Sequence, residues 1–96
     1  MEPMEREQLF HPGDTVRHFK RDAFSEAELE KEPTKYLYEI IGVAEHTESG
    51  ERLMVYRALY GDKKLFARPL AAFLSPVDKR RYPTSKQDYR FEVMKK

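Results

Sequence analysis

The chain predicts a mainly β fold: a small barrel of about five antiparallel strands with one or two short helices. Three observations carry this expectation. Runs rich in β-branched and aromatic residues recur at short intervals, as in KYLYEIIGVAEH and RLMVYRALY. Turn clusters such as HPGD, TESG and GDKK separate them. In the two longest runs both alternate sets of residues are partly apolar, which suits a strongly bent sheet better than a flat one with a wet face.

Each element follows from local pattern. Residues 1–12 read as an N-terminal arm with Leu9 and Phe10 as docking side chains, and residues 13–96 as a single domain. After the His11–Asp14 turn, TVRHFK alternates, with Val16 and His18 on one face and Arg17 and Phe19 on the other. Ser25 and Glu28 stand at capping-box spacing and start a short helix that must stop before Pro33. This helix belongs to an insertion at about 22–35. The second strand, 36–46, holds Gly42 in its interior, the mark of a bend or bulge that a β-carbon would obstruct. Gly50 serves the hairpin loop to the third strand, 52–61, and GDKK turns into the fourth, 65–69. Pro69 ends that strand or puts it at an edge. LAAFL is one tight turn that buries Leu70, Phe73 and Leu74. Ser75 as N-cap and Pro76 at the first helical position predict another short helix. YRFEVM supplies the last strand.

Composition narrows the setting. Cysteine is absent, which removes disulfides and thiolate metal sites and agrees with a reducing cytoplasm. MEPMEREQLF is acidic and lacks a signal peptide's basic start and apolar run, and no apolar stretch is long enough to span a bilayer, so the expectation is a soluble cytoplasmic protein. The net charge of +1 hides an asymmetry. Residues 1–62 carry 8 Lys/Arg against 14 Asp/Glu, and residues 63–96 carry 10 against 3. A basic tail folded over an acidic body explains this, and so does a phosphate-binding patch.

Several blocks stand in a familiar order: Gly13 followed by Arg17-His18-Phe19-Lys20, then Ala44-x-His46-Thr47-Glu48, then Val55-Tyr56-x-x-Leu59-Tyr60-Gly61, then Arg68-Pro69-x-x-x-Phe73. Over residues 13–74, with Phe91 in a closing strand, the chain resembles the bacterial family of the domain of unknown function 1653. The resemblance implies an SH3-like small β-barrel and no particular biochemical activity. The chain departs from the short form of that family by the insertion, by Phe66-Ala67 where a Trp-Val pair is common, and by a basic extension after Phe73.

The residues offer little chemistry of the catalytic kind. His11, His18 and His46 lack ligand spacing, so no metal or other cofactor is expected. The serines lie in cap or turn contexts, the glycines are scattered, and Glu45, Glu48 and Glu51 surround a hairpin tip. An enzyme is the less favoured reading, and a small-molecule-binding or enzymatic accessory domain is a third class. What remains is a constellation of His18, Tyr38, Tyr56, Tyr60 and Arg68. As a half-exposed face it would take a peptide or protein partner, as SH3-like domains do. As a structural clasp, Arg68 over a tyrosine ring would simply close the barrel. The alternative partner is nucleic acid, held by Lys63, Lys64, Arg68, Lys79, Arg80, Arg81, Lys86 and Arg90 with aromatic rings against its bases. Clustering of these cations beside the tyrosines favours nucleic acid; pairing with Glu26–Glu32 favours the peptide. No membrane partner is expected, and the oligomeric state is left open.

Overall fold

A computed structural model describes residues 7–94, so the first half of the predicted arm, residues 1–6, lies outside the described residues. Five strands form one antiparallel sheet: β1 (Thr15–His18), β2 (Leu37–Glu45), β3 (Arg52–Ala58), β4 (Leu65–Pro69) and β5 (Phe91–Val93). Their order is β4-β3-β2-β1-β5, so β4 and β5 are the two edges of an open sheet. Closure of a barrel by a β4–β5 ladder is not seen among the described residues. The sheet is nevertheless strongly curled. Four strand spacings would hold the edges of a flat sheet roughly 19 Å apart. Here the Arg68 guanidinium of β4 lies 5.8 Å from the centre of the Phe91 ring of β5. The edges meet through side chains.

The bent-sheet expectation explains the mixed alternation. Met54, Tyr56 and Ala58 of β3 face the interior with Val16, Tyr38, Ile40 and Phe91. Leu53 and Val55 lie on the opposite face and are only half-buried. Helix α1 (Glu26–Lys31) carries the expected capping box and buries nothing, whereas the turn α2 (Leu70–Phe73) drives Leu70 and Phe73 into the core. Phe73 stacks on Phe91 at 4.2 Å, and Phe10 meets the edge of Phe73 at 5.3 Å. Thus Phe10 is anchored in the core, and Leu9 stays half-exposed.

One local reading is refined and another corrected. The register slips between Ile40 and Gly42, which places the bulge where Gly42 suggested it. The reason differs, however. A β-carbon on Gly42 would meet nothing within 4 Å, and the constraint is its φ of +156°. The helix predicted from Ser75 and Pro76 does not form. Instead Pro76 makes an antiparallel bridge with Tyr89, and Val77 N donates to Asp88 O at 2.8 Å. Val77, within this paired segment, is buried. Among the described residues, no helix is long and apolar enough to cross a membrane.

Candidate functional site

The five residues of the tyrosine and arginine constellation divide into two groups. Tyr38 and Tyr56 are only 7% and 4% exposed, so neither offers a ring face to a partner. Their hydroxyls are occupied: Tyr38 shares a 2.6 Å hydrogen bond with the half-buried Tyr60, and Tyr56 accepts from Arg68 Nε at 3.2 Å. Burial, then the neighbouring Tyr60, pushes the Tyr38 hydroxyl's pKa well above the ordinary tyrosine range. These three tyrosines tie the sheet together. Arg68, held from behind by Tyr56, reaches the rim of the core.

At that rim His18 and Arg68 line a pocket of about 320 Å³ together with Lys20, Arg81 and Arg90. Local structure explains how each arrives. His18 ends β1, and its Nδ1 accepts from the Lys20 amide at 3.1 Å, starting a 3-10 turn (Phe19–Ala23) that carries Lys20 to the pocket. Arg90 precedes β5 and is fixed by its own backbone: its amide donates to Ser75 O and its carbonyl accepts from Phe19 N, both at 3.0 Å. Arg81 sits in the turn nucleated by Asp78, whose carbonyl accepts from the Arg81 and Tyr82 amides. Four cationic side chains face a single lining carboxylate, Asp78, and its Oδ1 already accepts from the Arg80 amide at 3.0 Å.

The electrostatics are those of a site short of negative charge. Burial first, then repulsion from Arg68, Lys20 and Arg90, pushes the His18 pKa down to about 3. His18 is therefore neutral, and because Nδ1 is an acceptor its proton resides on Nε2, a donor. Arg90 Nε is buried without a hydrogen-bond partner among the described residues. A buried donor left unpaired costs roughly 1–3 kcal/mol.

Of the basic residues proposed for nucleic acid, Arg68, Arg81 and Arg90 converge here. Lys63, Lys64, Arg80 and Lys86 do not line the pocket, and Lys79 is bonded to Ser85 O at 2.9 Å and lies 3.6 Å from Asp88. Among the described residues no ion pair joins these cations to Glu26–Glu32. Lys20 stands in the Arg17–Lys20 block of the resemblance, but nothing in the sequence marks it as a pocket residue, because the turn that delivers it begins with a histidine cap that no pattern announces. Gln87 is equally silent there. It is 1% exposed, accepts from Arg17 Nε and donates to the Arg17 and Tyr89 carbonyls, clamping the C-terminal segment to β1. Tyr36 is a third such residue: its φ is +60°, a conformation that costs a bulky residue about 1–3 kcal/mol. Among the described residues no group of three His, Cys, Asp or Glu side chains gathers as a metal site would require.

Fold and pocket together define a small mainly β domain with a cation-lined cavity at one rim of a curled sheet. The chain belongs to the family described as Protein of unknown function (DUF1653), whose model matches residues 14–93. The match runs through the insertion and through the segment after Phe73, so Arg81 and Arg90 fall within it. Neither a curated protein nor a solved structure matches the chain.

Proposed function

We propose that this protein is a binding module that captures a phosphate of single-stranded nucleic acid in the pocket of His18, Lys20, Arg68, Arg81 and Arg90. The observation that carries the reading is the excess of positive charge in that cavity: four cations and the neutral His18 against one engaged carboxylate. Arginine forks suit the tetrahedral oxygens of phosphate, and a pocket of this size takes one such group rather than the backbone of a duplex. The peptide reading needs exposed tyrosine faces, and burial of Tyr38 and Tyr56 withdraws two of them. Within this proposal the curled sheet is an SH3-like barrel, a reading supported by the approach of Arg68 to Phe91. A cytoplasmic location suits such a partner and a chain without cysteine.

The test is fluorescence anisotropy of labelled single-stranded RNA and DNA against an acidic peptide of equal charge. Arg68→Gln, Arg81→Gln and Arg90→Gln should each weaken oligonucleotide binding at least about fivefold, with Lys31→Gln on α1 unchanged. Preference for the peptide, or oligonucleotide binding indifferent to all three arginines, contradicts the proposal.

A further inference from the structure

The cationic pocket has a neighbour. A second cavity, of about 260 Å³, is walled by Phe19, Phe24, Tyr36 and Tyr82, and Asp22, Thr84 and Ser85 add polar groups to its lining. Phe19, Lys20 and Tyr82 line both cavities, so the two chambers share a partition. The rings are held in place: Tyr82 meets the edge of Phe19 at 4.8 Å, and Phe24 stands at 90° to Tyr36 at 5.6 Å. Tyr36 keeps its place in this wall despite its left-handed backbone. Small-ligand sites begin at roughly 300 Å³. The aromatic cleft falls below that and the cationic pocket barely reaches it, so each chamber alone suits a small group, one an anion and the other a flat ring.

Resting on the phosphate-capturing reading above, we infer that the two chambers together take one unpaired nucleotide, its phosphate among the arginines and its base in the aromatic cleft. The partition decides between ligand classes. In a phosphotyrosine the phosphate is bonded directly to the ring, which demands one continuous pocket. In a nucleotide the sugar separates ring from phosphate and spans a dividing wall. The cleft also matches a base in kind, since aromatic walls stack on its face and Asp22 and Thr84 add a carboxylate and a hydroxyl for its edge. Asp22 Oδ2 accepts from the Lys86 amide at 2.9 Å, which fixes the carboxylate's position.

Titrations of the full chain, followed by amide chemical shifts, compare adenosine 5′-monophosphate, ribose 5-phosphate and O-phosphotyrosine. The expected result is that the nucleotide shifts amides on both sides of the partition, near Phe24 and Thr84 as well as near Arg81. It should bind at least about fivefold tighter than ribose 5-phosphate, the lower end of what base–aromatic stacking supplies. Phe24→Leu, which keeps apolar volume and removes the ring, should abolish that advantage and leave ribose 5-phosphate affinity unchanged. Equal affinities for the two phosphates, or no shift at Phe24 and Thr84, overturn the inference and leave the phosphate reading standing. Tighter binding of O-phosphotyrosine overturns the inference in favour of a peptide. Phosphate shifts that survive Arg81→Gln and Arg90→Gln, or no shift with any phosphate, overturn both readings.

Discussion

The interior of the curled sheet and the pocket at its rim are built from the same residue types, aromatic rings and arginine, and do opposite things with them. Inside, hydroxyl meets hydroxyl at Tyr38 and Tyr60, and Arg68 closes on Tyr56. At the rim, Lys20, Arg81 and Arg90 crowd a neutral His18, and a buried guanidinium nitrogen has no partner among the described residues. A satisfied polar network rigidifies a fold, and an unsatisfied one carries a cost. Arg68 belongs to both regions: Tyr56 and the Phe91 ring fix it, and the remainder of its guanidinium faces the pocket.

If the interior is the stabilising region, the largest loss must come from there. Phe73 is fully buried and stacked on Phe91, and Phe73→Ala should cost about 3–5 kcal/mol in urea unfolding. A loss below about 1 kcal/mol would place the core elsewhere. Gly42→Val probes the sheet's curvature. Because a β-carbon there meets nothing within 4 Å, the expected cost of about 1–3 kcal/mol arises from the backbone. Gly42→Ala should then cost nearly as much as the valine, whereas a steric cause would separate them.

The rim has its own signature in pH. His18 titrates near 6.5 when unfolded and near 3 when folded. Above pH 6.5 both states are neutral there, so the residue adds no pH dependence. Between pH 6.5 and 3 the unfolded chain takes the proton and the folded one refuses it, so stability falls as pH falls, by at most about 1.4 kcal/mol per pH unit. The charges that resist protonation come from three elements: Lys20 after β1, Arg68 on β4 and Arg90 before β5. His18→Asn can still cap the Lys20 amide and should flatten that slope in melts across this range. The smallest stability effect is reserved for α1, which buries no residue. Replacing residues 25–34 with a short turn should cost less than about 1 kcal/mol, provided Phe24 and Tyr36 are kept. Unfolding of that variant would mean the helix supports the sheet.

Much of this architecture can be read from the chain, and the exceptions share a cause. Alternation and turn residues locate all five strands, and the Ser25–Glu28 spacing locates α1, because the forces that form these elements act within a few residues. Ser75 and Pro76 carry an equally local helix signal, and there the distant partner Tyr89 prevails. The site follows the same division. Arg68, Arg81 and Arg90 are recognisable as basic residues, but their convergence with Lys20 depends on the curl that brings both sheet edges to one rim. The inward turn of Tyr38 and Tyr56 is hidden in the same way, since alternation shows that a face is aromatic without showing whether it is covered.

The central claim is that the rim pocket holds phosphate, and ionic strength tests it most directly. The affinity of a short single-stranded RNA is measured from low to physiological salt for the natural chain and for the Arg81→Gln/Arg90→Gln variant, whose fold should be unaffected because neither side chain is needed by the core. For every phosphate that the variant no longer neutralises, the slope of log affinity against log salt should fall by about 0.7. A flatter slope with no loss of melting temperature is the predicted result. Equal slopes for the two proteins would show that the arginines face an empty rim, and the pocket would then have no part in binding.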